Sequence, residues 1–575
     1  MTRKSTVVVL KFGSSVLRSE ADLPSAVHEI YRHWRDGLQV IAVVSALGDT
    51  TDQLIRRAEN ICGRPEKSAL ASLLATGEAT SSALLSLALN KVGIPVRLLD
   101  EVQAKLRTVS GSTDAIPVAV DAARLVGESR RAVVVLPGFV GRDETGDRTV
   151  LGRGGSDLTA LFIAQQLRAH CVLIKDVDGL YTSNPAATTI RPSRYARASY
   201  ETAARLGGVV VQPKAIRFAA ANKLRFDITS IGAAGVTEVG PFTDQLEGAH
   251  SQREPLRVAL LGCGTVGGGV YERLAAAPDL FHVIGVGTRT GARARAAGVP
   301  EELITSDLEG LVEQPCEVVI ELIGGTKRAA SLIERALRLG RQVVSANKAL
   351  MAHYHELYES IAEENGATLR YSAGVGGVMP ALETIKRARV SGPLRSFSGV
   401  VNGTCNFVLE QLATGSTFSA AVRLAQEHGF AEEDPVLDLE GFDAAQKLIL
   451  MARAAFDVSL PIHVISRKGI RGLNADSLKK ARERGQTIRL VAECEKTSGQ
   501  LMASVSPVEL PLDHPLAQVT GAENRLIIKR EAGEQLIVFG TGAGRWPTTE
   551  AVMADLFELR RQESAKGLEQ LEACA

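Results

Sequence analysis

Short apolar blocks at Val7–Leu10, Val40–Val44 and Val133–Val135 are too brief for helices and read as buried strands. Between them lie helix-period segments, one around Ser25–Asp36 and others running to Leu89. This alternation predicts βαβ units and an α/β fold with a mostly parallel sheet. From Gly240 to Leu256 the periodicity stops, and Pro-Phe-Thr-Asp-Gln-Leu-Glu-Gly-Ala-His-Ser-Gln-Arg-Glu-Pro reads as a linker. A fresh strand follows at Arg257–Leu261, then a helix through Leu274, a strand at His282–Val286, and buried strands within Glu317–Gly325 and Val343–Lys348. The first half is therefore expected over 1–245, the linker over 246–255 and the second half over 256–575; no internal repeat relates them.

The chain's 575 residues correspond, at roughly 100–200 residues per domain, to about three to five domains. Lys and Arg number 66 against 65 for Asp and Glu, a net charge of +1, so no field of one sign exists to hold nucleic acid or an anionic membrane. The 45% hydrophobic and 23% charged fractions exclude disordered, collagen-like and disulfide-rich classes, and 54 glycines suit α/β turns. Seven cysteines, at 62, 171, 263, 316, 405, 494 and 574, form no C-x-x-C pair and no zinc spacing, which suggests reduced thiols. No leading apolar stretch suits a signal peptide and no window approaches the roughly 20 apolar residues of a membrane span, so a cytoplasmic location is expected.

Candidate chemistry is densest in the second half. Gly262-Cys-Gly264-Thr265-Val266-Gly267 is a G-x-G-x-x-G turn between a strand and a helix. Gly262 suits the tight turn, Gly264 admits a pyrophosphate and Gly267 lets the helix pack closely, with Thr265 and Val266 opening that helix. Glycine turns also serve packing alone, so the strand–turn–helix context carries the dinucleotide reading. Where an NAD site would place an acid, this chain has Thr288, Arg289, Arg293 and Arg295. A guanidinium there suits a 2′-phosphate, hence NADP(H), although loop arginines are often merely solvated. Lys348 ends a strand at the edge where open α/β sheets bind ligands. Asp443 and Lys447 share a helix face, which in isolation means an ion pair and no more.

These motifs, with Glu321-Leu-Ile-Gly-Gly325, Val401-Asn-Gly-Thr-Cys-Asn406, Phe430-Ala-Glu-Glu-Asp-Pro435 and Gly542-Ala-Gly-Arg-Trp-Pro-Thr548, together resemble homoserine dehydrogenase over 256–575. The resemblance implies a Rossmann domain over 256–375 and an α/β catalytic and dimerisation domain over 376–575, whose last helix, after Pro547, returns to the Rossmann face. It implies reversible reduction of L-aspartate 4-semialdehyde to L-homoserine by a homo-oligomer. By it Lys348 and Lys447 carry proton transfer and carbonyl polarisation, Glu432, Asp438 and Asp443 orient lysine and substrate, Gly403 and Thr404 contact substrate, and Gly542 lies at the cofactor. The chain departs from the family at Phe430, where Tyr is usual, and at Ser372, where Glu is usual in a loop that binds a monovalent cation. Backbone carbonyls would then be the cation's remaining ligands.

In the first half Lys11 precedes a small-residue turn, Ser45 ends a strand, and Leu151-Gly-Arg153-Gly-Gly155-Ser156-Asp157 opens a helix. Each is a plain turn by itself; together at strand ends they suggest an anion site. With Ala75-Thr-Gly-Glu78, Gly138-Phe-Val-Gly-Arg142 and Lys175-Asp176-Val-Asp178-Gly-Leu-Tyr181-Thr182, they resemble the aspartokinase branch of the amino acid kinase family over 6–235, a three-layer sandwich. That resemblance implies Lys11 and Asp157 at the phosphates, Glu78, Arg153, Ser45 and Ser156 around L-aspartate, and Asp176, Asp178 and Tyr181 in a loop holding ATP with Mg²⁺. Departures stand at Asn184, Ala186 and Gln212, and no room remains for paired regulatory domains. The competing reading makes the first half a non-catalytic binding or assembly module.

Overall fold

The computed structural model describes residues 6–184, 192–206, 210–233, 235–247, 254–497 and 499–574, with side chains as far as Gln562. Most of the expected linker, Ala186 and the Cys574 side chain thus lie outside the described residues. The chain forms two compact units, residues 1–253 with 560–575, and residues 254–559.

The first unit is built on a nine-stranded sheet: β1 (Val7–Phe12), β2 (Gln39–Val44), β3 (Val96–Leu98), β4 (Val133–Pro137), β5 (His170–Lys175), β6 (Tyr195–Ser199), β7 (Phe226–Ser230), β8 (Thr237–Gly240) and β9 (Gln245–Leu246). The order is β9-β6-β8-β7-β5-β1-β2-β4-β3. All pairs are parallel except β7–β8 and β6–β9. Central β1 is buried along its whole length because both faces are covered. On one face Val7, Val9, Ile41 and Val43 share a core with Leu161, Ile163 and Ile216, while Val8, Leu10, Val40 and Ala42 are buried on the other. Two helices of this unit carry candidate site residues: α1 (Lys67–Lys91) holds Glu78 and α2 (Gly155–Leu167) holds Ser156 and Asp157. The first ten residues of α2 are buried, since Leu158, Leu161, Phe162 and Ile163 leave it no polar face. A separate four-stranded sheet contains Val140–Arg142 and Arg148–Val150.

The second unit begins with the six-stranded parallel sheet of a Rossmann domain. Its strands are β10 (Leu256–Leu261), β11 (Phe281–Gly287), β12 (Ile304–Thr305), β13 (Val318–Glu321), β14 (Gln342–Ser345) and β15 (Leu369–Arg370), ordered β12-β11-β10-β13-β14-β15. Helix α3 (Thr265–Ala275) follows β10, and α4 (Lys348–Glu364) follows β14. A second six-stranded sheet comprises β16 (Leu394–Val400), β17 (Ser466–Arg467), β18 (Gln486–Thr497), β19 (Gln500–Pro511), β20 (Glu523–Arg530) and β21 (Gln535–Thr541), ordered β17-β19-β18-β16-β20-β21. Helices α5 (Gly403–Ala413), α6 (Val436–Leu439) and α7 (Phe442–Phe456) accompany it; Val408, Leu412, Leu448 and Met451 share a core with Phe397, Leu490 and Leu526.

One face of the Rossmann sheet is covered from the far end of the chain. Helix α8 (Arg545–Cys574) buries Val552, Leu556 and Phe557 against Leu256, Val258, Leu260 and Leu274, with Phe557 edge-on to Phe281 at 5.1 Å. Residues 551–559 therefore complete the core on this face of β10 and β11, beside Val270 and Leu274 of α3. Pro547 sits in the first turn, where its missing N–H leaves no hydrogen bond unmade. Among the described residues no helix is long and apolar enough to cross a membrane.

Candidate active sites

In the second unit the turn after β10 separates two kinds of glycine. Gly262 has φ +100°, and a Cβ on Gly267 would collide with the Gly262 carbonyl oxygen, so both are demanded by the chain itself. A Cβ on Gly264 would meet nothing within 4 Å. Packing gives no reason for that glycine; a ligand approaching the N-terminus of α3 does. Thr265 is exposed and Val266 half-buried at this end. These residues fit a dinucleotide pyrophosphate. Arg289 lies exposed just past β11, whereas Arg295 is held by Glu301 at 2.6 Å. Gly542 has a packing duty, since a Cβ there would collide with the Asn524 amide.

The lysines and carboxylates converge around Asp443. Gly441 turns the chain at φ +78°, α7 starts, and Asp443 is 6% exposed in its first turn. Lys348, expected at the end of a strand, instead opens α4, because β14 stops at Ser345 and Asn347 caps the helix; its Nζ lies 3.0 Å from Asp443 Oδ1, and Lys447 Nζ lies 2.9 Å from Oδ2. Lys447 also donates to the Val401 carbonyl at 2.7 Å. Burial opposes the Asp443 charge, but the two ammonium groups overcome it and hold its pKa well below the usual range. Asp443 in turn raises the Lys348 pKa against burial, with help from Asp438 and Glu432. The Asp438 pKa moves up, through burial and the nearby Asp443 charge.

Asn402, which sequence reasoning did not single out, joins these carboxylates. Its Nδ2 donates to Asp438 Oδ1 at 2.7 Å and to Asp443 Oδ2 at 2.9 Å, while its Oδ1 caps α5 by accepting from Cys405 N. An Asn before a helix signals a cap in sequence, but not the bridge. Thr404 Oγ1 donates to the Phe430 carbonyl at 2.6 Å and reaches Asp438 Oδ2 at 3.3 Å. Gly403 opens α5, where a Cβ would press on Ala522 at 3.3 Å. Glu432 is exposed, acting on Lys348 by charge. Phe430 stacks on Phe407 at 4.6 Å, a packing role that needs no hydroxyl. Ser372 precedes the Ala373–Gly376 turn and makes no capping bond there.

In the first unit the carboxyl ends of β1, β2 and β5 and the N-terminus of α2 surround a cavity of about 1110 Å³. Asp157 is again a buried carboxylate between two lysines, 2.8 Å from Lys11 and 2.9 Å from Lys175. Burial works against its charge, but Lys11 and Lys175 hold its pKa at about 2. Burial lowers Lys11 to about 8 despite Asp157. Lys175 was legible as a strand-end lysine within its motif; its pairing to Asp157 was not. Glu78, on α1, accepts from Ala46 N at 3.3 Å through Oε1, while its Oε2 has no partner among the described residues. Burial pushes its pKa up to about 7. An unpaired buried carboxylate oxygen in a cavity wall is suited to an ammonium ligand.

Ser45, Ser156, Arg153, Asp176, Tyr181 and Asn184 also line this cavity, with Arg153 and Asp176 exposed. Asp178 turns instead to Tyr181 Oη, at 2.6 Å, and to Arg194, which also pairs with Glu247. Gln212 fills the space that a Cβ on Gly154 would need, and Lys214 is bound by Asp114 and the Leu151 carbonyl. Among the described residues no group of three His, Cys, Asp or Glu side chains is arranged to hold a metal.

Comparison with known proteins agrees with this division. The family model described as homoserine dehydrogenase, NAD binding domain matches residues 262–372, that of homoserine dehydrogenase matches 380–557, and that of the amino acid kinase family matches 6–230. The homoserine dehydrogenase of Bacillus subtilis is 34% identical over 52% of this chain and 72% of its own length. That of Mycobacterium tuberculosis strain H37Rv is 36% identical over 53% of this chain and 72% of its own. The crystal structure of a homoserine dehydrogenase from Thiobacillus denitrificans superposes with TM-score 0.52 at 31% identity, covering 54% of this chain and 74% of that one.

The Glu78 environment has a measurable consequence. A carboxyl whose pKa rises from an ordinary 4.5 to about 7 on folding binds its proton more tightly folded, so its contribution to stability is lost as pH rises through that interval. Glu78→Gln removes this loss. Calorimetry should find the Tm of the first unit nearly equal for variant and parent at pH 5, with the variant increasingly higher toward pH 8; a constant difference would contradict this account of Glu78.

Proposed function

The chain belongs to the homoserine dehydrogenase family through its second half and carries an amino acid kinase domain in its first; from that premise we propose that it reduces L-aspartate 4-semialdehyde to L-homoserine with NADPH and phosphorylates L-aspartate with ATP. The observation that carries the first activity is the Lys348–Asp443–Lys447 cluster, two ammonium groups held on one buried carboxylate. The Gly262–Gly267 turn and the start of α3 would hold the dinucleotide, and Arg289 would meet the 2′-phosphate. Bound NADPH supplies the hydride.

As the aldehyde carbon becomes sp³, its oxygen gains negative charge, which an ammonium nearby stabilises. Lys348 is suited to be that group and the proton donor, since it is about a third exposed while Lys447 is buried and bound to Val401. Asp443 raises the Lys348 pKa and, with one oxygen on each, aims both lysines. Asp438 and Glu432 present carboxylates for the substrate's ammonium group.

In the first half, Lys11 and Lys175 around Asp157 provide fixed positive charge for a transferring phosphoryl group, and Glu78 the counter-charge for the ammonium of aspartate. Attack by the side-chain carboxylate on the γ-phosphate gives 4-phospho-L-aspartate and ADP, with no covalent enzyme intermediate.

Lys348→Ala and Lys447→Ala should each lower kcat for homoserine oxidation by about 10²–10⁴-fold, the range typical of acid–base groups; near-parental turnover in both would remove the assignment. NADPH should show a higher kcat/KM than NADH, and Arg289→Ala should narrow that gap; equal use of both cofactors by the parent protein counts against the 2′-phosphate contact. Aspartate-dependent ADP release should be seen with Mg²⁺-ATP, and Glu78→Gln should raise the KM for aspartate by about tenfold or more. Absence of ADP from a preparation active as a dehydrogenase would make the first half a binding or assembly module.

A further inference from the structure

Glu321, the last residue of β13, is a carboxylate with 0% exposure for which the proposed mechanism has no use. Burying a charge is costly unless hydrogen bonds satisfy it. Here they come from two different turns. Oε1 accepts from Ile323 N at 3.0 Å and Gly324 N at 3.3 Å, in the turn after β13. Oε2 accepts from Ser345 Oγ at 2.7 Å, at the end of the neighbouring strand β14, where Glu321 and Ser345 stand in register.

The connection continues beyond Ser345. Since the Ser345 hydroxyl hydrogen goes to Glu321, its oxygen accepts from Asn347 N at 3.0 Å. Asn347 caps α4 through Leu350 N, and its Nδ2 returns to the Gly325 carbonyl at 2.7 Å. The circuit thus closes between the Gly324–Gly325 turn and the residue immediately before Lys348. A Cβ on Gly324 or Gly325 would meet nothing within 4 Å, so this turn borders open space at the carboxyl ends of β13 and β14, where open α/β sheets receive ligands. The hydrogen bonds to the Glu321 carboxylate are all donated to it and favour its ionised form, against the burial that raises its pKa.

We propose that Glu321 is a positioning residue, tying the turn that borders the open carboxyl ends of β13 and β14, where the cofactor would bind, to the turn that presents Lys348. This rests on the dehydrogenase reading. Its two oxygens have separable duties, Oε1 toward the cofactor turn and Oε2, through Ser345 and Asn347, toward the lysine.

The test compares Glu321→Gln and Ser345→Ala with the parent protein. NADPH affinity is read by fluorescence titration without substrate, and kcat and the KM for homoserine by steady-state oxidation. Glu321→Gln should weaken NADPH binding several-fold and lower kcat by roughly ten- to a hundredfold, with the KM for homoserine unchanged. Ser345→Ala keeps the Oε1 contacts, so it should lower kcat by about tenfold while leaving the NADPH Kd within about twofold. A general loss of folded protein would also lower the apparent kcat, so kcat is expressed per NADPH-binding site, counted from the stoichiometry of the same titration. If Glu321→Gln does not fold, the Ser345→Ala split between kcat and Kd decides. A parent that binds NADPH and oxidises homoserine, beside folded variants with parental constants or with Kd and kcat altered alike in Ser345→Ala, overturns the positioning role alone. A parent that neither binds NADPH nor oxidises homoserine overturns the dehydrogenase reading and this inference with it.

Discussion

Much of the second unit follows from the need to keep Asp443 ionised where it is almost wholly buried. A lone carboxylate there would take up a proton; two ammonium groups and an amide prevent it. To supply them, α4 must begin at the end of β14, α7 must start from the left-handed turn at Gly441, and Asn402 must cap α5 with its amide turned toward α7. Removing one partner would leave uncompensated buried charge, so these elements are fixed relative to one another by electrostatics as well as by packing.

The first unit solves the same problem with unrelated elements. Asp157 stands in the first turn of α2, as Asp443 stands in that of α7, and each is bridged by two lysines within 3.0 Å. The surroundings differ. Around Asp157 the two buried lysines and Arg153 would face a phosphate, with Glu78 in the same cavity as the counter-charge for an ammonium group. Around Asp443 the further carboxylates Asp438 and Glu432 bring the balance back, suited to a substrate that carries an ammonium group. The shared motif fixes lysines in place; its neighbours select the ligand.

Glycines show a second constraint. Gly262, Gly267 and Gly542 are required by atoms of the chain itself, so their presence is explained without a ligand. Gly264, Gly324 and Gly325 border empty space. Of these only Gly264 has no positive φ to account for it, which makes it the sharper indication that something outside the chain comes close.

The alternation of apolar blocks and helix periods determined the α/β class, because buried parallel strands need continuous apolar runs and their crossover helices need one apolar stripe. Motif order likewise carried the dehydrogenase family and the amino acid kinase domain, since those turns demand particular small residues at fixed spacing. Other features were beyond local reading. That Phe557 completes the core begun by Leu256, that Asn402 bridges two carboxylates, that Lys175 joins Lys11 on Asp157, and that Glu321 reaches Asn347 through Ser345 all depend on residues brought together from distant elements. A cap signal, a strand-end lysine or a buried acid looks the same in sequence whatever its partner. Only the tertiary structure decided the pairing, because the free energy of a buried charge depends on what surrounds it in space and not on its neighbours along the chain.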